Sequence, residues 1–203
     1  YTFNFTPGQT TYLDTPILPI AAFTGDGNYQ LDCEYPSGTP IIERVTVTGN
    51  GKSGGPYIAA SGNQTMTVIS VGEVLVPNPA ASRVDGDSQR LTPRNFGFGA
   101  SAGTIKLGAL NLTTHATWAA NRIDIDLAAL TPAERAKLRT GQLEITTAAG
   151  VKTVHALTVI VGSASEPANY VQEVQAGGSI QAAIDAAPVG GVVLVAPGNY
   201  SEM

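Results

Sequence analysis

Apolar and polar residues alternate in short runs along most of the first 162 positions of this 203-residue chain. Such alternation places the apolar side chains on one face of a half-buried β-strand. Glycine- and proline-rich turns separate the runs, as is typical of short strands that follow one another closely. In the N-terminal part the predicted strands cover residues 1–6, 29–33, 41–48, 65–69 and 74–76. Within the third strand, Ile41, Val45 and Val47 are the candidate core residues, and a sandwich or a partly open barrel is expected.

Further strands are predicted at residues 104–108, 123–127, 143–146 and 156–161. Between the second and third of these, Thr131, Pro132 and Glu134 form a helix start. Thr131 can cap the helix, proline suits its first position, and Glu134 can complete a capping box. A short connecting helix over 132–139 is therefore expected, with Gly141 as its left-handed stop.

The periodicity changes near the C-terminus, where Ser179 can cap a second helix. Its apolar positions recur at helical spacing and form one stripe: Ile180, Ala183, Ile184 and Ala187. Pro188, Gly190 and Gly191 end this helix. The run 192–195, Val-Val-Leu-Val, then predicts a strand that is covered on both faces.

Composition favours turn-dense β-structure, since the chain has 23 glycines, 13 prolines and only 13% charged residues. A formal net charge of -5 without a basic cluster excludes a nucleic-acid-binding surface. No apolar run approaches the ~20 residues that a membrane-spanning helix needs. The lone Cys33 excludes an internal disulfide, and we expect it to be a small buried hydrophobe.

No residue set predicts catalysis. His115 and His155 lie in strand patterns and are expected to be half-exposed sheet residues, and no G-x-S-x-G motif is present. Calcium is the one cofactor left open. Asp124 and Asp126 share a strand face that we expect to be solvated. We expect Asp26 and Asp32 to be exposed to solvent as well. The segment 85–88, Asp-Gly-Asp-Ser, resembles half of a calcium loop, but Phe96 stands where that loop needs its glutamate.

Other surface features are less specific. Four segments match the N-glycosylation sequon, and they start at Asn4, Asn63, Asn111 and Asn199. Trp118 is expected in the core. Tyr170 and Tyr200 are the better candidates for an exposed sugar-binding surface.

Residues 95–130, followed by residues 141–162, resemble the IPT/TIG immunoglobulin-like module. The resemblance rests on Phe98-Gly99, on Trp118 and on the strands 104–108, 123–127, 143–146 and 156–161 in that order. It implies a β-sandwich. Each of these sequence elements alone is weak evidence for the family, whereas their order along the chain is more specific.

The segment 180–202, IQAAIDAAPVGGVVLVAPGNYSE, resembles the first coil of a right-handed parallel β-helix of the pectate-lyase and pectinesterase type. That resemblance implies a piece of a longer protein, because the catalytic residues of those enzymes lie on later coils. Residues 28–58, followed by the IPT/TIG-like module and the β-helix-like segment, are also similar to large bacterial surface proteins that carry multicopper-oxidase domains. Copper sites of that kind need histidine clusters, and this chain has two isolated histidines.

We therefore expect an all-β chain of tandem Ig-like sandwiches that ends in the start of a β-helix. The expected parts are an N-terminal module (1–82), an IPT/TIG module (83–162), a linker (163–175) and a β-helix cap with its first strand (176–203). Residues 77–87 are the candidate linker between the modules. The expected function is a non-catalytic spacer, adhesin stalk or filament subunit of a larger secreted or cell-surface protein, bacterial by resemblance. Its partners would be other domains, identical subunits joined by strand addition, or surface polysaccharide. The alternatives are part of a polysaccharide lyase or esterase, or an accessory region of a copper oxidase.

Overall fold

A computed structural model describes residues 32–49, 52–53, 55–59, 63–81, 89–162, 170–196 and 198–201. Predictions that concern residues 1–31 and 82–88 lie outside the described residues, among them the first strand, Asn4, Asp26 and the half calcium loop at 85–88. The described residues are mostly β-sheet with few helices, which confirms the all-β class.

The strands are numbered in chain order. They are β1 (Ile42–Gly49), β2 (Lys52–Ser53), β3 (Tyr57–Ile58), β4 (Thr65–Ser70), β5 (Glu73–Pro77), β6 (Leu91–Asn95), β7 (Thr104–Leu107), β8 (Leu110–Asn111), β9 (Ala116–Ala119), β10 (Arg122–Asp126), β11 (Gly141–Thr146), β12 (Leu157–Val161), β13 (Val171–Val174) and β14 (Val192–Val195). The α-helices are α1 (Pro132–Arg135) and α2 (Ile180–Ala186).

The chain divides into two compact units, of which the first contains residues 1–34 and 76–92. In its described part, Asn78 organises a turn. The Asn78 backbone N–H donates to the Arg90 carbonyl at 2.8 Å, and its Nδ2 donates to the Gln89 carbonyl at 2.8 Å. The Asn78 Oδ1 accepts from the Ala80 N–H at 3.0 Å, so one side chain satisfies backbone groups on both sides of the turn.

The second unit, residues 35–75 and 93–203, contains a β-sandwich. One five-stranded sheet has the order β2-β1-β4-β10-β9, and the other has the order β3-β12-β11-β7-β8. All pairs are antiparallel except β12 with β3, which is parallel. Alternate residues of both sheets point inward and form one apolar core. The predicted core residues Val45 and Val47 are buried in it, whereas Ile41 is only half-buried.

The sheet order differs from the expected separation of residues 1–82 from residues 83–162. Strands β1 and β4 come from the first predicted module, yet β4 pairs along its length with β10 from the second. Likewise β3 pairs with β12. The predicted linker at 77–87 begins at the last residue of β5 and precedes β6 in the chain, and these two strands form a two-stranded sheet with each other. The described strands thus form one sandwich from both predicted modules, because period-2 alternation specifies faces but not strand partners.

The connecting helix α1 begins as predicted and ends earlier. Thr131 Oγ1 accepts from the Glu134 N–H, and the Glu134 carboxylate accepts from the Thr131 N–H, so the capping box is confirmed. The helix ends at Arg135 rather than Arg139. The expectation for Gly141 is wrong: its φ is not positive, and it is the first residue of β11.

The C-terminal part forms a β13–α2–β14 unit in which β13 and β14 pair in parallel. Its helix begins and ends close to the prediction, with Ser179 as the cap. The predicted linker 163–175 contains β13, which the sequence analysis missed. Strand β14 is half-buried and its Val195 is exposed, so the prediction of a strand covered on both faces is wrong.

Candidate functional site

The β13–α2–β14 unit is built from local signals. Ser179 Oγ accepts from the Ala182 N–H at 3.1 Å and caps α2. Gly190, with φ of 78°, turns the chain into β14. β-Branched valines then favour an extended strand. Two parallel strands joined by a helix result, in a register that aligns Val171 with Val192.

Hydrogen bonding defines which edge of β14 is open. The Val192 N–H donates to the Tyr170 carbonyl at 2.8 Å, and the Ala196 N–H donates to the Val174 carbonyl at 2.8 Å. Because backbone groups alternate in direction along a strand, the N–H groups of Val193 and Val195 face away from β13. Among the described residues no other strand pairs with β14. We call this outward side of Val192–Val195 the β14 edge.

The strand at the β14 edge is itself apolar and uncharged, and the cleft that Leu194 and Val195 line also contains Arg44 and Glu173. Val195 is 45% exposed, and Ile184 and Val189 nearby in sequence are also exposed. The strand contains none of the lysine, proline or inward charge that commonly protects sheet edges. In the described part of residues 170–201 the only charged side chains are the acidic Glu173 and Asp185. The edge is therefore a template for another strand.

The same unit packs against the sandwich, in part through β14 itself. Two methyl carbons of Leu194 lie 3.0 and 3.1 Å from the position that a Cβ of Gly55 would occupy. The rings of Tyr57 and Tyr170 lie 6.3 Å apart. Tyr200 donates its hydroxyl to the Ala196 carbonyl. Tyr170 and Tyr200 are thus half-buried packing residues rather than the exposed pair that was expected to form a sugar-binding surface.

His115 contacts Glu134 through Nε2 and Oε1 at 3.1 Å. The Glu134 carboxylate also accepts from the hydroxyl and the backbone N–H of Thr131, at 2.7 and 2.9 Å. These two bonds, followed by the His115 contact, lower the pKa of Glu134 to about 2. The histidine therefore joins the turn before β9 to the start of α1, which is a structural use.

Asp124 lies on the outer face of β10 and is engaged by its neighbours. Arg122 donates to both Asp124 oxygens, at 2.6 and 2.8 Å, and Thr67 donates at 2.6 Å. The Arg122 hydrogen bond is the main reason that the pKa of Asp124 is lowered, and Asp124 in turn raises the pKa of Arg122. Asp126 accepts from the Ala128 N–H at 2.9 Å.

The remaining candidates lie apart from any cluster. In the described part of the chain no group of three or more His, Cys, Asp or Glu residues is placed to hold a metal ion. Asp32 is exposed and accepts from the Glu34 N–H at 3.3 Å. Calcium binding stays a prediction from the sequence alone. His155 is exposed, and its Nε2 contacts the Tyr35 hydroxyl at 3.2 Å.

Two residues that we expect to be buried are less buried in the structure than the sequence predicts. Cys33 is exposed, so its predicted burial is wrong. Trp118 is half-buried, packs against the core, and donates its Nε1–H to the Gly99 carbonyl at 2.8 Å. Three of the sequon asparagines, Asn63, Asn111 and Asn199, are exposed.

Strand β13, and with it the parallel pair, was not predicted from the sequence. The signal was present as the alternation Tyr-Val-Gln-Glu-Val at 170–174, but it is short and contains two polar residues in a row. No described helix is long and apolar enough to cross a membrane. No protein-family model matches the chain, and no curated protein is significantly similar to it in sequence.

Proposed function

We propose that this chain is a non-catalytic structural or interaction region of a larger secreted or cell-surface protein, of the spacer, stalk or filament kind. The observation that carries the proposal is the β14 edge: a parallel strand without a second neighbour among the described residues, apolar and free of charge. Such edges add a strand from another chain, since main-chain hydrogen bonds supply affinity without a dedicated pocket.

The partner that we assign to this edge is a second copy of the chain. Two β14 strands related by a two-fold axis would pair antiparallel, and each would supply the same uncharged valines to the contact. Each copy has a formal net charge of -5, so the two chains would repel each other. Association should therefore strengthen when salt screens these charges.

The ionisable side chains also support a structural role, because they are engaged in contacts within the fold. Glu134 completes the cap of α1 and contacts His115, while Asp124 joins β10 to Thr67 of β4. Lys152 and Glu144 form an exposed ion pair at 3.1 Å. Each of these groups connects two parts of the fold, which is a structural use.

A second candidate function is favoured by the parallel pairing of β13 with β14. Parallel strands joined by a crossing helix are what the start of a parallel β-helix requires, so a region of a polysaccharide lyase or esterase is the alternative. The test is incubation of the chain with pectin and its methyl ester. Release of unsaturated uronates or methanol by this chain would replace the structural proposal with the enzymatic one.

The test of the structural proposal is sedimentation velocity over a wide range of protein concentration. The wild-type chain should self-associate, and more strongly at high salt. Val195→Lys places a charge on the β14 edge and should weaken association by roughly tenfold or more in Kd. Val193→Pro should do the same, because it removes an outward N–H while the hydrogen bonds to β13 remain.

Val154→Lys is the matched control, since Val154 is 46% exposed and Val195 is 45% exposed. It should associate as the wild type does. A strictly monomeric wild-type chain at every concentration and salt would overturn the proposal. Equal effects of Val195→Lys and Val154→Lys would also overturn it, because the edge would then have no special role.

A further inference from the structure

We propose a second binding site, for a small neutral carbohydrate, in a cleft of about 450 Å³ beside the sandwich. Three segments converge on it: the turn at Ser37–Gly38 before β1, the segment from the end of β6 at Asn95 to Ser101, and the turn at 147–149 after β11. The volume lies in the range of ~300–1,000 Å³ that is usual for small-molecule sites. The site is separate from the β14 edge.

Short hydrogen bonds hold the walls of this cleft. The Asn95 carbonyl accepts from the Gly38 N–H at 2.7 Å, and its Oδ1 accepts from the Gly97 N–H at 2.7 Å. A Cβ on Gly97 would lie 2.5 Å from Asn121 Oδ1, so a larger residue does not fit there. Phe98 is fully buried and donates its N–H to the Ala120 carbonyl at 2.7 Å. The segment is therefore preformed, which lowers the entropy cost of binding.

The turn on the opposite wall is equally defined. The Thr147 N–H donates to the Val151 carbonyl and the Gly150 N–H donates to the Thr147 carbonyl, both at 2.9 Å. Gly150 has φ of 82°, which closes the turn and leaves Ala148 and Ala149 exposed beside the cleft. Both walls thus present backbone groups at fixed positions.

The chemistry of the lining selects the class of ligand. No charged side chain or histidine lines the cleft, whereas Ser37, Ser101, Thr147 and Asn95 supply hydroxyl and amide groups. Among the described residues, neither Asn95 Nδ2 nor the Ser101 hydroxyl has a hydrogen-bond partner. The lining therefore offers both donors and acceptors.

A charged ligand would find no counter-charge in this cleft. An apolar ligand would remove Asn95 and Ser101 from water without replacing their hydrogen bonds, which is unfavourable. A ligand rich in hydroxyl groups matches the lining, since each hydroxyl both donates and accepts. Because Phe98 is fully buried, it cannot stack on a sugar ring, and recognition rests on hydrogen bonds. Affinity is accordingly expected in the millimolar range.

The experiment is an amide NMR titration of the chain with neutral monosaccharides and disaccharides: glucose, galactose, mannose, N-acetylglucosamine and maltose. Glucuronate and glucosamine serve as the charged counterparts, and glycerol reports non-specific polyol effects. At least one neutral sugar should give saturable shifts at Gly97, Gly99, Ser101 and Ala148. The charged counterparts and glycerol should bind at least about tenfold more weakly.

Ala148→Trp fills the cleft from an exposed turn and should abolish these shifts while the core resonances stay unchanged. Ala109→Trp is the matched control, because Ala109 is exposed in the turn between β7 and β8 and does not line the cleft. It should bind as the wild type does. The proposal is overturned if no neutral sugar gives saturable shifts, if the shifts map elsewhere, if glycerol matches the sugars, or if both tryptophan variants behave alike.

Discussion

At the scale of single residues, side chains act by satisfying backbone groups. Glu134 accepts from the Thr131 N–H and hydroxyl and contacts His115, so one carboxylate joins α1 to the turn before β9. The pattern Thr-Pro-Ala-Glu made this cap predictable, because all its partners lie within four residues. Its contact with His115 was not predictable, since 19 residues separate the two.

The first prediction concerns acid stability. Glu134 has a pKa of about 2 in the folded chain against an ordinary value of 4.5. A lowered pKa stabilises the fold above the ordinary value, and this contribution is lost as the pH falls from about 4.5 to about 2. Glu134→Gln should lower the free energy of unfolding near neutral pH. It should also reduce the loss of that free energy between pH about 4.5 and about 2, measured by urea unfolding at a series of pH values. If the variant and the wild type lose the same free energy of unfolding over this pH range, the Glu134 carboxylate does not contribute to acid stability.

At the scale of elements, caps and turns fixed the starts of helices better than their ends. Both α1 and α2 begin where Thr131 and Ser179 predict. The predicted end of α1 is wrong because the prediction assigns Gly141 to a left-handed stop. That residue instead begins β11, which pairs with β7 and β12. A helix start is fixed by local hydrogen bonds, whereas the end of α1 depends on where the next strand must pair.

The second prediction tests the cap of α2. Ser179→Ala removes the bond from the Ala182 N–H and should cost about 1 kcal/mol of local stability. Because α2 packs against β13 and β14, hydrogen exchange of the β14 amides should accelerate while that of β10 stays unchanged. Thr114→Ala, in an exposed turn remote from α2, is the control and should leave β14 unaffected. Equal acceleration in β10 and β14 would contradict a local role.

At the scale of the molecule, one core joins strands that the sequence assigned to different modules. Val45 and Met66 come from one side of the predicted boundary, and Ile123 and Ile125 from the other. Thr67 and Asp124 form a hydrogen bond across 57 residues of chain. The strands of the sandwich should therefore unfold together rather than as two successive modules.

The third prediction follows from this shared core. Ile125→Ala should destabilise the chain by about 2–5 kcal/mol, because Ile125 is fully buried between the sheets. Amide exchange in β1 should accelerate as much as in β10, although β1 lies before residue 82. Val154→Ala, an exposed control, should change stability by less than ~0.5 kcal/mol. Protection of β1 that survives Ile125→Ala would favour separate modules.

The sequence by itself determined the all-β class, most strand positions of the sandwich and the two helix caps. These features depend on local chemistry: period-2 alternation, β-branched runs and side chains that bond backbone groups a few residues away. Alternation also identified Val45 and Val47 as core residues.

Only the tertiary structure decided which strands are neighbours, that β13 and β14 run parallel, and that Ser37, Asn95 and Thr147 meet at one cleft. It also exposed Cys33, for which no local pattern specifies a neighbour. The reason is that a strand carries the same alternation whichever partner it has. Partners, edges and clefts arise when distant segments compete to bury the same apolar faces, and that competition is settled in three dimensions.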